Sequence, residues 1–151
     1  MLSQVTRLVA AFDTNYINDD IITIEGSTTN PTKGTIVNDK LRYRLDGDDC
    51  IAEYHYNQST SGTVGSGVYL FSLPTDIEFD DSYTFDTSVV TSDTITNGSN
   101  ICVNGYITGG TFITNIKVIP YDSKRFKLFG MSTLKWTSGL SISLANSGVT
   151  S

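Results

Sequence analysis

The stretch LRYRLDGDDCIAEY, residues 41–54, reads as two strands joined by a tight acidic turn. Asp46-Gly47-Asp48-Asp49 is turn chemistry: glycine accepts positive φ without steric cost, and aspartate bonds to its own backbone. Setting Leu45 opposite Cys50 places Leu41, Tyr43, Leu45, Cys50, Ala52 and Tyr54 on one face. The other face then pairs Arg42 with Glu53 and Lys40 with His55. One apolar side and one charge-matched side are what a half-buried antiparallel hairpin requires. A one-residue slip would invert both faces, so the pattern specifies register as well as strand.

The same test works around Gly109-Gly110, which suits a two-residue turn between Cys102–Thr108 and Thr111–Ile119. Pairs Ile107/Phe112, Val103/Ile116 and Ile101/Val118 share an apolar face, while Tyr106/Ile113, Asn104/Asn115 and Cys102/Lys117 form the other. Further strands are expected over Ile21–Glu25, Gly34–Asn38, Val68–Leu73, Thr84–Thr91, Arg125–Phe129 and Leu140–Ala145. Val68–Leu73 is apolar on both faces, so both must be covered, and a neighbouring subunit is one candidate cover. Helical spacing occurs once, in Val5, Leu8, Val9 and Phe12 after Ser3; an extended arm reads equally well. The expected fold is all-β, an antiparallel β-sandwich or jelly-roll-like domain over residues 21–151, preceded by a short N-terminal arm or helix over residues 1–20.

Composition agrees with strands. Hydrophobic residues are 38% and charged residues 17% of the 151, with Ser, Thr and Asn making up the polar strand faces. The net charge is −6, and no Lys or Arg lies between Arg44 and Lys117. That span holds Asp46, Asp48, Asp49, Glu53, Asp76, Glu78, Asp80, Asp81, Asp86 and Asp93. Such a surface repels phosphate, which argues against nucleic acid and against an anionic membrane as partners. No apolar run approaches the length of a membrane span, and no secretory pattern follows Met1. Cys50 and Cys102 form no CxxC and read as free thiols of a chain made in the cytosol.

The glycines of SGTVGSG, residues 61–67, precede a strand where a phosphate loop needs them between strand and helix, so they read as a turn. His55 falls mid-strand on the polar face, with no serine or cysteine set beside it by hairpin pairing. Asp46, Asp48 and Asp49 start like a calcium loop, but Asn57 stands where the bidentate Glu is needed. Glu78, Asp80 and Asp81 form a second acidic turn. No catalytic, cofactor-binding or metal residue is assigned.

The segment DKLRYRLDGDDCIAEYHYNQSTSGTVGSGVYLFSLPTDIEFDDS resembles a domain of phage tail-fibre and virion structural proteins. Its core is Arg44, Gly47 and Asp48, then Gly62, Gly65, Ser66, Gly67, Tyr69, Leu70, Phe71, Leu73 and Pro74. VIPYDSKRFKLFG and WTSGLSISLAN are similar to that domain's later strands. Where the family pattern has glycine after Leu-Pro, this chain has Thr75-Asp76-Ile77, and the pattern's closing strand is missing before Ser151. The resemblance implies a β-sandwich that trimerises on a virion surface, here with an open edge for the arm or a neighbour to cover.

The expected function is therefore that of a virion structural protein, a capsid decoration or minor capsid protein of a bacteriophage. It would act through protein–protein contacts, without enzymatic activity, as a homotrimer on a major capsid or tail protein. Interface candidates are Val5, Leu8, Val9 and Phe12 in the arm and Tyr69, Phe71 and Leu73 in the strand. The chain would be made in the host cytoplasm and reside in the virion. The alternative is a receptor-binding or carbohydrate-binding tip module of a tail fibre, with Tyr16, Tyr56 or Trp136 stacking on a host-surface glycan. A glycan-cleaving enzyme would need paired carboxylates, and none stand out.

Overall fold

The computed structural model describes residues 16–18, 21–47, 49–88, 99, 101–109, 116–129, 135–146 and 149–150. The strands are β1 (Ile17–Asn18), β2 (Ile24–Gly26), β3 (Ile36–Asp46), β4 (Asp49–Gln58), β5 (Tyr69–Ser72), β6 (Ile101–Thr108), β7 (Lys117–Pro120), β8 (Arg125–Phe129), β9 (Ser141–Asn146) and β10 (Val149–Thr150). No helix occurs among the described residues. The apolar stripe Val5, Leu8, Val9 and Phe12 lies outside them.

The fold is all-β, with every strand pair antiparallel. One sheet runs β1-β3-β4-β9-β6, with β10 following β9 along β4; the other runs β6-β7-β8-β5-β2. The hairpin at residues 41–54 forms in the expected register, with Leu45 opposite Cys50, Arg42 opposite Glu53 and Lys40 opposite His55. Along β4 the burial alternates: Cys50, Ala52, Tyr54, Tyr56 and Gln58 point inward, while Ile51, Glu53, His55 and Asn57 are half-exposed. Leu45 belongs to the inner face by register but is 50% exposed, because it lies at the hairpin end beyond the core.

Strand β6 belongs to both sheets. Ile101 and Cys102 pair with Val118 and Lys117 of β7, as the second hairpin's register requires, and Val103–Thr108 pair with Asn146–Ser141 of β9. The strand changes partner between Cys102 and Val103; within the β6–β9 ladder that follows, Gly105 takes a φ of 153°, outside the range side chains favour. A core then forms between the sheets. The Tyr54 ring meets Phe126 edge-on at 5.3 Å, and the Tyr54 hydroxyl donates to the Ser72 carbonyl at 2.8 Å.

The side away from β6 is held by polar groups. Asp39 Oδ1 accepts from the Ile22 N–H at 2.9 Å, Asp39 Oδ2 pairs with Lys33 Nζ at 2.6 Å, and the Lys33 ammonium also donates to the Ile22 carbonyl. Next to them Gln58 is completely buried. Its Oε1 accepts from the Tyr56 hydroxyl at 2.6 Å and the Gly34 N–H at 3.1 Å, and its Nε2 donates to the Thr137 carbonyl at 2.9 Å. Leucine at this site would leave the Tyr56 hydroxyl and the Gly34 N–H without those bonds, while the Thr137 carbonyl keeps the Leu140 N–H at 3.3 Å. Gln58→Leu is therefore expected to cost about 2 kcal/mol in a urea titration.

Four expectations need correction. Thr84–Thr91 does not begin as a strand: in residues 84–88 the Asp86 carboxylate accepts from the Ser88 N–H at 3.0 Å, a local bond that competes with a ladder. Gly34–Asn38 is not a separate strand but runs into β3, with a bulge between Ile36 and Asn38 that leaves Val37 64% exposed. Both faces of Val68–Leu73 are covered within the chain, where Val68, Leu70, Phe71 and Leu73 are all buried. The last long strand leaves no open edge, because β9 sits between β4 and β6.

Asp76 adopts a φ of +68°, the region a glycine would occupy without strain. Asp76→Gly is expected to raise stability by about 0.5 kcal/mol, an effect a melting curve would resolve.

Candidate functional site

The long strands β3, β4, β9 and β6 build one continuous outer face, on which no side chain with described burial is fully buried. Register sets its rows. Lys40, His55, Ser143 and Tyr106 stand side by side across the four strands. The adjacent row is Arg42, Glu53, Ala145 and Asn104, and the row beyond on the other side is Asn38, Asn57, Ser141 and Thr108. Inward residues Ile142 and Leu144 anchor β9 in the core, which holds Ser141 and Ser143 on the outside.

Charge is organised around Glu53. Arg42 Nε and Nη2 both donate to Glu53 Oε1, at 3.1 and 2.9 Å, and the Arg42 guanidinium lies over the Tyr16 ring at 4.3 Å. Burial pushes the Glu53 carboxyl up, but the Arg42 hydrogen bonds and charge, helped by His55 and Tyr16, hold it below the ordinary value. Lys40 makes no ion pair among the described residues; the neighbouring Asp39 is held by Lys33.

His55 requires a correction. The pairing of β4 with β9 puts the Ser143 hydroxyl 3.2 Å from His55 Nδ1, while Nε2 lies 3.5 Å from Glu53 Oε1. Serine, imidazole and carboxylate in line invite a nucleophilic reading. Two features oppose it. Glu53 is already committed to Arg42, and Ser143 sits mid-strand between β4 and β6, where backbone N–H groups serve the ladders and do not converge as an oxyanion hole. His55→Ala should change stability by less than about 0.5 kcal/mol, as thermal melts can verify.

The other sequence candidates disperse. Phe71 and Leu73 are buried in the core, and Tyr69 stacks on Trp136 at 5.3 Å between centroids, with its hydroxyl donating to the Val64 carbonyl. Tyr56 and Trp136 are not exposed aromatics: they are 1% and 5% accessible and stack on each other, so neither can receive a sugar. Tyr16 is half-exposed beside Arg42. Asp46 and Asp49 are exposed at the hairpin end, whereas Asp48 lies outside the described residues. Glu78 and Asp81 are exposed, and Asp80 Oδ1 accepts from the Ser82 N–H at 2.9 Å. Among the described residues no three His, Cys, Asp or Glu side chains group to hold a metal ion.

Gly62, Gly65 and Gly67 all take positive φ as their loop runs beside Ser27–Lys33, with Thr29 bridged to Ser66 and Thr32 to Thr63. The Cys50 thiol is pushed up to about 11 by burial, which makes it a poor nucleophile. It lines, with Leu73, Phe126 and Leu144, an apolar cavity of about 20 Å³. A small-molecule pocket needs roughly 300–1,000 Å³. The outer sheet face is thus the best-organised surface on the described residues. Compared with protein families, curated proteins and solved structures, the chain matches none.

Proposed function

We propose that the chain is a virion structural protein, a decoration or minor capsid component that works by protein–protein contact on the particle surface. In this reading the two sheets form a β-sandwich of jelly-roll type, self-associated as a homotrimer, with the N-terminal segment as its anchoring arm. The observation that carries it is the apolar edge of the first sheet. Ile17 and Leu45 at one end of β1 and β3, and Ile36 and Val37 at the other, are 51%, 50%, 42% and 64% exposed. Beside them Ile21, 59% exposed, precedes the Ile22 N–H that is bonded to Asp39. Over Ile36–Leu41 this edge of β3 has no strand partner among the described residues. Large apolar side chains along an unpaired edge favour a protein partner.

The arm gives the experiment. Deleting residues 1–15 should leave a folded β-protein that no longer joins particles when mixed with them and sedimented. A truncated chain that decorates particles as well as the parent would remove the anchoring role. Failure of the parent itself to co-sediment would remove the virion reading.

A further inference from the structure

We propose that residues 84–88 form an acid-released strap across the outer side of the second sheet, seated by Asp86 on the Lys127 ammonium. Phe71 and Phe126 stack at 5.6 Å in the core, so their neighbours Leu70 and Lys127 point to the opposite side of β5 and β8. Register sets Ile119 of β7 beside Lys127. Ile119, Lys127 and Leu70 thus make one row facing away from the core, yet all three are buried. The strap crosses this row. The Asp86 N–H donates to the Pro120 carbonyl at 2.9 Å, and Lys127 Nζ donates to the Ser88 carbonyl at 2.9 Å. The strap's start is tied to Ser99, whose N–H donates to the Thr84 carbonyl at 2.9 Å while its hydroxyl accepts from the Thr84 N–H at 2.8 Å.

What holds the strap is polar. Thr84, Phe85 and Thr87 are exposed and Ser88 is half-exposed, so Asp86 is its one buried side chain. A segment that buries no apolar side chain opens more readily than ladders tied into the core through Tyr54, Phe126 and Leu144. The seat is also incomplete. Asp86 Oδ2 faces the ammonium at 3.2 Å but accepts no hydrogen bond among the described residues. The pair has few charged neighbours: Ile119, Pro120 and Leu70 carry none, and Lys117 lies two residues from Ile119 on β7. Glu25, opposite Leu70, is held by Arg125, which also holds Asp122. Burial raises the Asp86 carboxyl, but the Ser88 bonds and the Lys127 charge hold it below the ordinary value. The closed strap is therefore favoured above the ordinary carboxylate range and loses that advantage as pH falls through the lower closed-form value. Opening uncovers Ile119 and Leu70 as an apolar strip around one ammonium.

The strap uses no residue of the apolar β1/β3 edge, so it is tested apart from the assembly role. Hydrogen exchange of the full chain is followed by NMR at pH 7 and pH 3 and corrected for intrinsic rates. The Asp86 and Ser99 amides report the strap, and Gln58, whose N–H donates to the Leu140 carbonyl, reports the sheets. At pH 7 the strap amides should be at least about tenfold less protected than Gln58. At pH 3 strap opening should rise severalfold, with roughly ninefold the ceiling set by an open-form carboxyl at about 3.9, while Gln58 stays protected. In Asp86→Asn, and in Asp86→Leu with Lys127→Met, the Ser99 amide should show no such rise. Strap amides as protected as Gln58 at pH 7 would overturn the proposal. So would a change below about twofold between the two pH values, or the same rise in either variant.

Discussion

Gly105→Ala is expected to destabilise the protein by about 4 kcal/mol, combining roughly 1–3 kcal/mol of overpacking with roughly 1–3 kcal/mol of backbone strain. A Cβ at this position would sit 2.8 Å from the Ser143 carbonyl carbon, closer still to its oxygen, and 3.0 Å from Leu144 Cα. All three are backbone atoms of β9, so no rotamer change relieves the overlap. The φ of 153° adds strain for any side chain. Because Gly105 sits inside the β6–β9 ladder of the strand that also pairs with β7 through Ile101 and Cys102, the damage should be global: urea unfolding with a lowered midpoint and both sheets lost together. A midpoint within 0.5 M of the parent, on the order of 1 kcal/mol for a domain of this size, would show that the β6–β9 ladder does not depend on this glycine.

Lys127→Met is expected to cost about 3–5 kcal/mol at neutral pH, because it strands a buried carboxylate. Lys127 and Asp86 are 8% and 7% exposed, with Lys127 Nζ 3.2 Å from Asp86 Oδ2 and 2.9 Å from the Ser88 carbonyl. Burial pushes the Asp86 carboxyl up, but hydrogen bonds from Ser88 and the Lys127 ammonium hold it below the ordinary value. A carboxyl lowered on folding contributes stability that is complete above its unfolded pKa, about 3.9, and lost as pH falls through its folded value. In Lys127→Met the Ser88 bonds remain but the ammonium no longer opposes burial, so the carboxyl is held down less and protonation costs the variant less than the parent. The stability gap between parent and variant should narrow below about pH 5. A gap unchanged between pH 7 and pH 4 would show that Asp86 is not carrying the charge. Replacing both residues, Asp86→Leu with Lys127→Met, should recover most of the loss.

Short-range structure was legible in the sequence wherever side-chain pattern and turn chemistry acted together. The register of residues 41–54 and the pairing of Ile101 with Val118 both followed from which faces were apolar. Long-range pairing was not legible. Nothing local tells β9 to insert between β4 and β6, yet that insertion puts Ser143 beside His55 and Tyr106 beside Ser143. The alternation Ser141, Ser143, Ala145 against Ile142 and Leu144 marked an outward polar side without naming its neighbours. Exposure was misjudged for the same reason. Tyr56 and Trp136 are polar-tipped aromatics in polar surroundings by sequence, but Gln58 and the Tyr69 stack bury them. Likewise, the two-faced strand Val68–Leu73 signalled extra cover, which the chain itself supplies.

The claim that the chain works by self-assembly through its apolar β1/β3 edge is tested most directly by sedimentation velocity at micromolar concentration. The parent should sediment as a complex of three 16.4 kDa chains, and Val37→Asp, placed at the exposed bulge, as a folded monomer. A parent that is monomeric at every concentration, or a Val37→Asp variant as associated as the parent, would contradict it.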